Sequence, residues 1–260
     1  TAVESMREVF GEDRIAFAGV DMDFTDADVA DITRNLNPVT TQCAVVFLGE
    51  MPYTEGKGSV EDIELFDNQQ NLVKALHGRG IPVIGADAGG RPRTFSNMEP
   101  MLDAFVMAYL PGDYGARAIA DVLSGNFNPS GRLPFTWPRY ASAHLTYDHK
   151  HTENLSAKLD WGDFNPLYTF GSGLSYSNVE TTSIALTDSV FQMGDVIDIT
   201  VSLQNTGTRS TTETVILYAQ DRVASITPSV DELKAFKQVV VPAGATIEVN
   251  FNVSTEGLGF

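Results

Sequence analysis

Apolar and polar positions follow two different rhythms along this chain. Between Arg14 and Arg139, short apolar runs alternate with stretches of helical spacing. Residues 15–20 predict a strand, and Val29, Ile32 and Leu36 follow at helical intervals. Residues 44–48, Ala-Val-Val-Phe-Leu, form a continuous apolar run, the pattern of a strand buried on both faces. Residues 68–77 predict a helix with Leu72, Val73 and Leu76 on one face, ended by Gly78 and Gly80. Strands are predicted at 81–84 and 104–108, then a helix at 114–123 with Ile119, Ala120 and Leu123 inward. Strand alternating with helix points to an α/β fold, a mostly parallel sheet flanked by helices.

The second rhythm has period two. Ile197, Ile199, Val201 and Leu203 alternate strictly, and so do Ile247, Val249, Phe251 and Val253. Strands at 214–220 and 237–241 lie between them, with turn signals at Asn205-Thr206-Gly207 and Pro242-Ala243-Gly244. This spacing predicts an all-β sandwich of the immunoglobulin or fibronectin type, C-terminally incomplete because no closing strand is visible before Phe260. Between the rhythms lies an aromatic stretch with Trp161, Phe164, Tyr168 and Phe170, read as a packed linker. The expected division is residues 1–139, a linker over 140–178, and the sandwich over 179–260.

Composition narrows the partners. Against 34 acidic residues stand 17 Lys and Arg, a net charge of −17. That excludes nucleic acid and anionic membranes as expected partners, since phosphate binding depends on Lys and Arg. No apolar run approaches the ~20 residues a membrane-spanning helix needs. The first residues carry neither the charged nor the apolar region of a signal peptide, and the start reads as a cut inside a longer protein. Cys43, the one cysteine, opens an apolar run and is expected to be a buried core thiol that builds neither a disulfide nor a zinc site.

The candidate chemistry sits where strands end. In open parallel sheets, ligands bind beyond the carboxyl ends of the strands. After the run 44–48 comes Gly-Glu-Met-Pro-Tyr-Thr-Glu-Gly-Lys-Gly-Ser, with Glu50, Glu55 and Lys57 among three glycines. A carboxyl there suits general acid/base work. A phosphate cradle does not fit, because Met51 and Gly58 stand where a P-loop needs Gly and Ser or Thr; an ordinary solvated loop is the remaining reading. Gly89-Gly90-Arg91-Pro92-Arg93 follows the next strand, and its arginines either brace that loop, hold a ligand carboxylate or pair with the protein's own acids. A metal at His149-Lys150-His151 is not expected, with a lysine between the would-be ligands. No Gly-x-Ser-x-Gly elbow is present.

Several ordered segments carry a resemblance. They are Val45–Glu50 with Pro52–Gly58, Gly90-Arg91-Pro92, the run from Pro111 through Asp121 to Asn128-Pro129-Ser130-Gly131-Arg132-Leu133-Pro134, Tyr147-Asp148-His149-Lys150, and Leu167–Tyr176. Asn205-Thr206-Gly207 and Glu232–Phe236 extend it into the sandwich. Across almost its whole length the chain resembles the C-terminal two domains of glycoside hydrolase family 3, of the β-glucosidase and exo-β-glucanase type. The resemblance implies retaining hydrolysis of terminal β-D-glucosyl residues of a β-glucoside or β-glucan, with no cofactor. It implies a missing N-terminal barrel carrying an aspartate nucleophile, and Glu55 as the general acid/base facing it at ~5 Å. It implies a periplasmic or extracellular location, and inactivity of this fragment alone. Glu50 is read as a bracing residue, Arg132 and Leu133-Pro134 as packing, and Trp137 and Trp161 as core or interface residues before sugar platforms. Asp148 and Lys150 either contact sugar or brace the linker. Ser59 stands where the family often has aspartate, which bears on loop shape and fine specificity. The rival reading is a non-catalytic carbohydrate-binding or scaffolding fragment.

Overall fold

In the computed structural model the described residues are 1–16, 19, 22–143, 146–150 and 164–259. The chain divides into two units, Thr1–Phe127 with Trp137–His144, and Asn128–Thr136 with Leu145–Phe260.

The first unit holds a three-stranded parallel sheet in the order β1 (Ala44–Gly49), β2 (Val83–Ala88), β3 (Ala104–Met107). Four helices accompany it: α1 (Ala2–Phe10), α2 (Asp26–Arg34), α3 (Asp67–Gly78) and α4 (Gly115–Ser124). Helix α2 starts at Thr25, whose hydroxyl accepts from the Asp28 amide while the Asp28 carboxylate accepts from the Thr25 amide at 2.8 Å. Helix α4 stops at Gly125, which takes a left-handed φ of 79°. Helix α3 buries Val73 and Leu76 toward β1 and β2, and α1 packs on α4. Phe95, Phe105 and Trp137 pack together in the core, the two phenylalanines tilted at 4.8 Å and each edge-on to Trp137 at 5.7 Å between centroids.

Four details depart from the pattern reading. Half of the predicted strand at 15–20 falls on positions outside the described residues, and the described positions 15, 16 and 19 are not in a strand. The strand predicted at 81–84 starts later and runs on to Ala88, so Gly85, Ala86 and Asp87 belong to the sheet. Strand β1 is not buried on both faces: Val46 and Leu48 are inside, while Phe47, on the other face of this edge strand, is 41% exposed. Cys43 is exposed, because it lies one residue before β1 and outside its pleat.

The second unit pairs β4 (Val179–Leu186), β5 (Val196–Asn205) and β8 (Thr246–Ser254) antiparallel, with a hairpin of β6 (Thr211–Ala219) and β7 (Glu232–Val241). Ile199, Val201, Leu203, Val249 and Phe251 face the β6–β7 hairpin, where Val241 completes the buried core. On β4, Leu186 and Ile184 stand opposite Ile199 and Val201 yet remain more than half exposed. Asn205 is wholly buried at the end of β5. Its amide donates to the carbonyls of Arg209 (2.7 Å) and Val241 (3.0 Å), and its oxygen accepts from the Gly207 amide and the Ser177 hydroxyl.

The two long resemblance segments hold each other within this unit. The Leu133 amide donates to the Ser172 carbonyl, and the Gly171 amide donates back to Leu133, both at 2.8 Å. Arg132 donates to the Gly173 carbonyl and pairs with Glu213 at 2.6 Å. A Cβ on Gly173 would sit 2.3 Å from the Gly131 carbonyl oxygen, so only glycine fits there. Lys150 donates to the Ser229 hydroxyl at 3.0 Å, a bracing contact. His149 stacks on Phe164 at 3.6 Å; His151 and Trp161 lie outside the described residues.

Candidate active site

Strand β1 delivers its loop beside β2 through a required glycine. Gly49 has φ 148°, and a Cβ there would come within 2.7 Å of the Ala88 carbonyl oxygen. Gln69 of α3 fixes the same backbone from the other side: it accepts from the Gly49 amide at 3.1 Å and donates to the Gly49 carbonyl at 2.8 Å. The next residue, Glu50, is therefore set at the carboxyl edge of the sheet with a side chain only 6% exposed.

Both arginines of the following loop converge on Glu50. Arg91 Nε donates to one carboxylate oxygen at 3.0 Å. Arg93 Nε donates to the other at 3.1 Å, and Arg93 Nη2 makes a second bond to that oxygen. Arg93 is as buried as Glu50, lies over the Phe66 ring at 4.6 Å, and donates to the Glu64 carbonyl at 3.0 Å. Trp137, fully buried, donates its indole N–H to the Arg93 carbonyl at 3.0 Å. Burial pushes the Glu50 carboxyl up, but the hydrogen bonds and charge of Arg93, then the charge of Arg91, outweigh it and hold Glu50 below the usual carboxylate range. Of the alternatives open for the arginines, pairing with the protein's own acid and bracing the loop are both realised.

Arg91 carries that bracing into the loop. Its Nε also reaches the Tyr53 hydroxyl at 3.0 Å, its Nη2 donates to the Gly58 carbonyl at 2.6 Å, and its guanidinium lies 4.2 Å over the Tyr53 ring. Tyr53 in turn lies flat on Gly58, where a Cβ would be 2.5 Å from the ring. Between these two residues the chain makes a short 3₁₀ turn, Glu55–Gly58. Glu55 opens it at φ 49°, a left-handed conformation that costs a non-glycine residue ~1–2 kcal/mol. Its side chain is exposed and accepts no hydrogen bond from the described residues. Lys57 is exposed on the same turn. Close by, Met22, Asp23, Met51, Phe66, Asp67 and Asn68 line an open hollow of about 450 Å³.

One group of this site escaped the pattern reading. Asp87 stands one residue before the end of the central strand, 4% exposed, between Leu48 and Met107 in register. Burial and the Glu50 charge push its carboxyl up to about 6, against a smaller pull from Arg93. The signal was an acid inside a strand followed by two arginines. Among the described residues, no three His, Cys, Asp or Glu side chains are grouped to hold a metal, and no helix is long and apolar enough to cross a membrane.

Residues 16–176 match the model of the glycosyl hydrolase family 3 C-terminal domain. The chain belongs to glycoside hydrolase family 3. Residues 213–260 match a fibronectin type III-like domain, in agreement with the β-rich second unit. A lysosomal β-glucosidase of Dictyostelium discoideum is 31% identical over 85% of this chain and 28% of its own length. A periplasmic β-glucosidase of Salmonella typhimurium is 31% identical over 76% of this chain and 27% of its own; β-xylosidases are among the further relatives. The crystal structure of a β-glucosidase from Listeria innocua in complex with isofagomine superposes with a TM-score of 0.85 at 29% identity, over 98% of this chain and 37% of that one. The chain thus spans less than a third of the length of these two curated relatives. In this family 3 chain the loop carrying Glu55 belongs to the α/β unit, and Glu50 and Glu55, the two carboxylates of one loop, stand in opposite surroundings.

Proposed function

We propose that this chain supplies the general acid/base to a retaining β-glycosidase that removes terminal β-D-glucosyl residues, with Glu55 as the acid. The nucleophile then comes from a barrel domain of the same protein, N-terminal to this chain. One observation carries the reading: Glu50 is locked between two arginines, while Glu55 is exposed and unengaged at the tip of a braced loop. A carboxylate consumed by ion pairs cannot deliver a proton; a free one at a strand's carboxyl edge can. Protonation of the glycosidic oxygen by Glu55 would accompany attack on the anomeric carbon. The same carboxylate would then deprotonate the water that hydrolyses the glycosyl-enzyme. Residues 1–139 form the acid-bearing domain in this reading, 140–178 a linker, and 179–260 the fibronectin-like module. A periplasmic or extracellular location goes with it, as does inactivity of this chain by itself.

The test uses the full reading frame with Glu55→Ala beside the wild type. On a glucoside with a poor leaving group the variant should lose ~10²–10⁴-fold in kcat/KM, with much less loss of kcat/KM on an activated aryl glucoside, whose kcat falls because the hydrolytic step lacks its base. Azide, which needs no base, should restore turnover of the activated substrate and yield the β-glycosyl azide. Equal rates for variant and wild type on both substrates would leave Glu55 without a catalytic role and favour a binding or scaffolding module.

A further inference from the structure

We propose that Arg91 is a positioning residue for Glu55, fixing the acid by tying together the two flanks of its turn. This rests on the reading of Glu55 as the acid. The argument is geometric. Arg91 touches Tyr53 and Gly58, which lie two residues before and three residues after Glu55. It makes no hydrogen bond or ion pair with the residues between them, so its action on Glu55 passes through the backbone. The ring of Tyr53 is in contact with both the guanidinium and Gly58. With both flanks pinned, the intervening turn keeps the left-handed Glu55 backbone that a free chain would abandon.

The brace is anchored in the core and not in the loop itself. Glu50 fixes Arg91, Arg93 fixes Glu50, and Trp137 and the Glu64 carbonyl fix Arg93. A guanidinium is suited to the task. It reaches an acid, a phenol and a carbonyl at once and stacks on a ring, which a single ammonium cannot do. A lysine at this position would keep the pairing with Glu50 and lose the fork. Exposure of Glu55 is preserved throughout, because every bond of the brace is made to its neighbours.

The test is a set of variants in the full-length enzyme: Arg91→Lys, Arg91→Ala, Glu55→Ala and the double variant Glu55→Ala/Arg91→Ala. A misplaced acid costs roughly 10²-fold. Arg91→Ala should therefore lose about that much kcat/KM on the poor leaving group and less than about 3-fold in kcat/KM on the activated one. Arg91→Lys should fall between, with an unchanged melting profile, and millimolar guanidinium should restore part of the Arg91→Ala loss. In the Glu55→Ala background, Arg91→Ala should add no further loss on the poor leaving group, since the two act as one unit. Equal losses on both substrates, or losses that simply multiply in the double variant, would overturn the proposal and make Arg91 a structural residue. Wild-type rates in both Arg91 variants would overturn it too. Failure of the underlying reading looks different: Glu55→Ala itself would then show no leaving-group dependence, whatever Arg91 does.

Discussion

Asp87 offers a quantitative check on the buried charges beneath the loop. Its side chain lies near the end of the middle strand of the sheet, almost fully removed from water, with the Glu50 charge acting on it and Arg93 only partly compensating. Its carboxyl is pushed up to about 6, from the ordinary 3.8. A carboxyl raised on folding acts opposite to the usual paired acid. Below the unfolded value both states hold the proton and the group is neutral to stability. As pH rises toward 6, the unfolded chain releases its proton while the folded chain keeps it, so folding loses stability, and above 6 the loss is constant. At 1.36 kcal/mol per unit, the constant loss is about 3 kcal/mol, and at pH 5 it is about half of that. Asparagine copies the neutral acid in shape and carries no charge. Asp87→Asn should therefore stabilise the first unit by about 3 kcal/mol at pH 8 and by about half of that at pH 5. Hydrogen exchange at the β1, β2 and β3 amides, measured at both pH values, reads the difference between variant and wild type. A gain that does not change with pH, or a loss of stability at pH 8, would refute the reasoning and mean that Arg93 holds Asp87 ionised.

Three other perturbations follow from the same contacts. Glu50→Ala leaves two arginines, one of them buried, without their carboxylate and should destabilise the first unit by about 3–5 kcal/mol, seen as loss of exchange protection in β1 and β2. Asn205→Ala removes four hydrogen bonds of a fully buried side chain and should cost the second unit roughly 3 kcal/mol in urea unfolding, with β1–β3 protection unchanged. Glu55→Gly should melt higher than Glu55→Ala, by about 1 kcal/mol, because glycine accepts the left-handed backbone that alanine resists; both should lack the acid.

Strands β5 and β8 were legible because one face of each meets the core and the other meets water, so side chains alternate. The helices α3 and α4 were legible for the same reason at helical spacing. The failures have physical causes. Strand β2 ends in Gly85-Ala86-Asp87-Ala88, a poor strand pattern, yet a side chain at Gly85 would crowd Leu48 and Phe105 at 3.2 Å, so the sheet's own packing demands a small residue. Strand β4 runs Glu-Thr-Thr-Ser through its exposed part; only its pairing with β5 makes it a strand. Helix α1 is announced only by a cap at Thr1 and Glu4, and its apolar face belongs to α4, more than a hundred residues on in the sequence.

The site divides along the same line. Glu55 could be named from an ordered set of short segments, because those segments record a shape that chemistry constrains. What holds Glu55 could not, because the brace is built from residues 33 to 43 positions apart, and no periodicity links them. The division has a physical basis. An acid that must meet substrate has to sit on an exposed loop, where packing cannot hold it. The constraint must then be imported from the core, and here it arrives through Arg93, Glu50 and Arg91 as a relay of buried charge. Such a relay is stable only if each charge is matched, which Glu50 with its two arginines achieves and Asp87, one strand over, does not. The unmatched acid therefore lies one strand over from the matched one and feels its charge, and the pH response of Asp87→Asn measures how far the relay's charge extends.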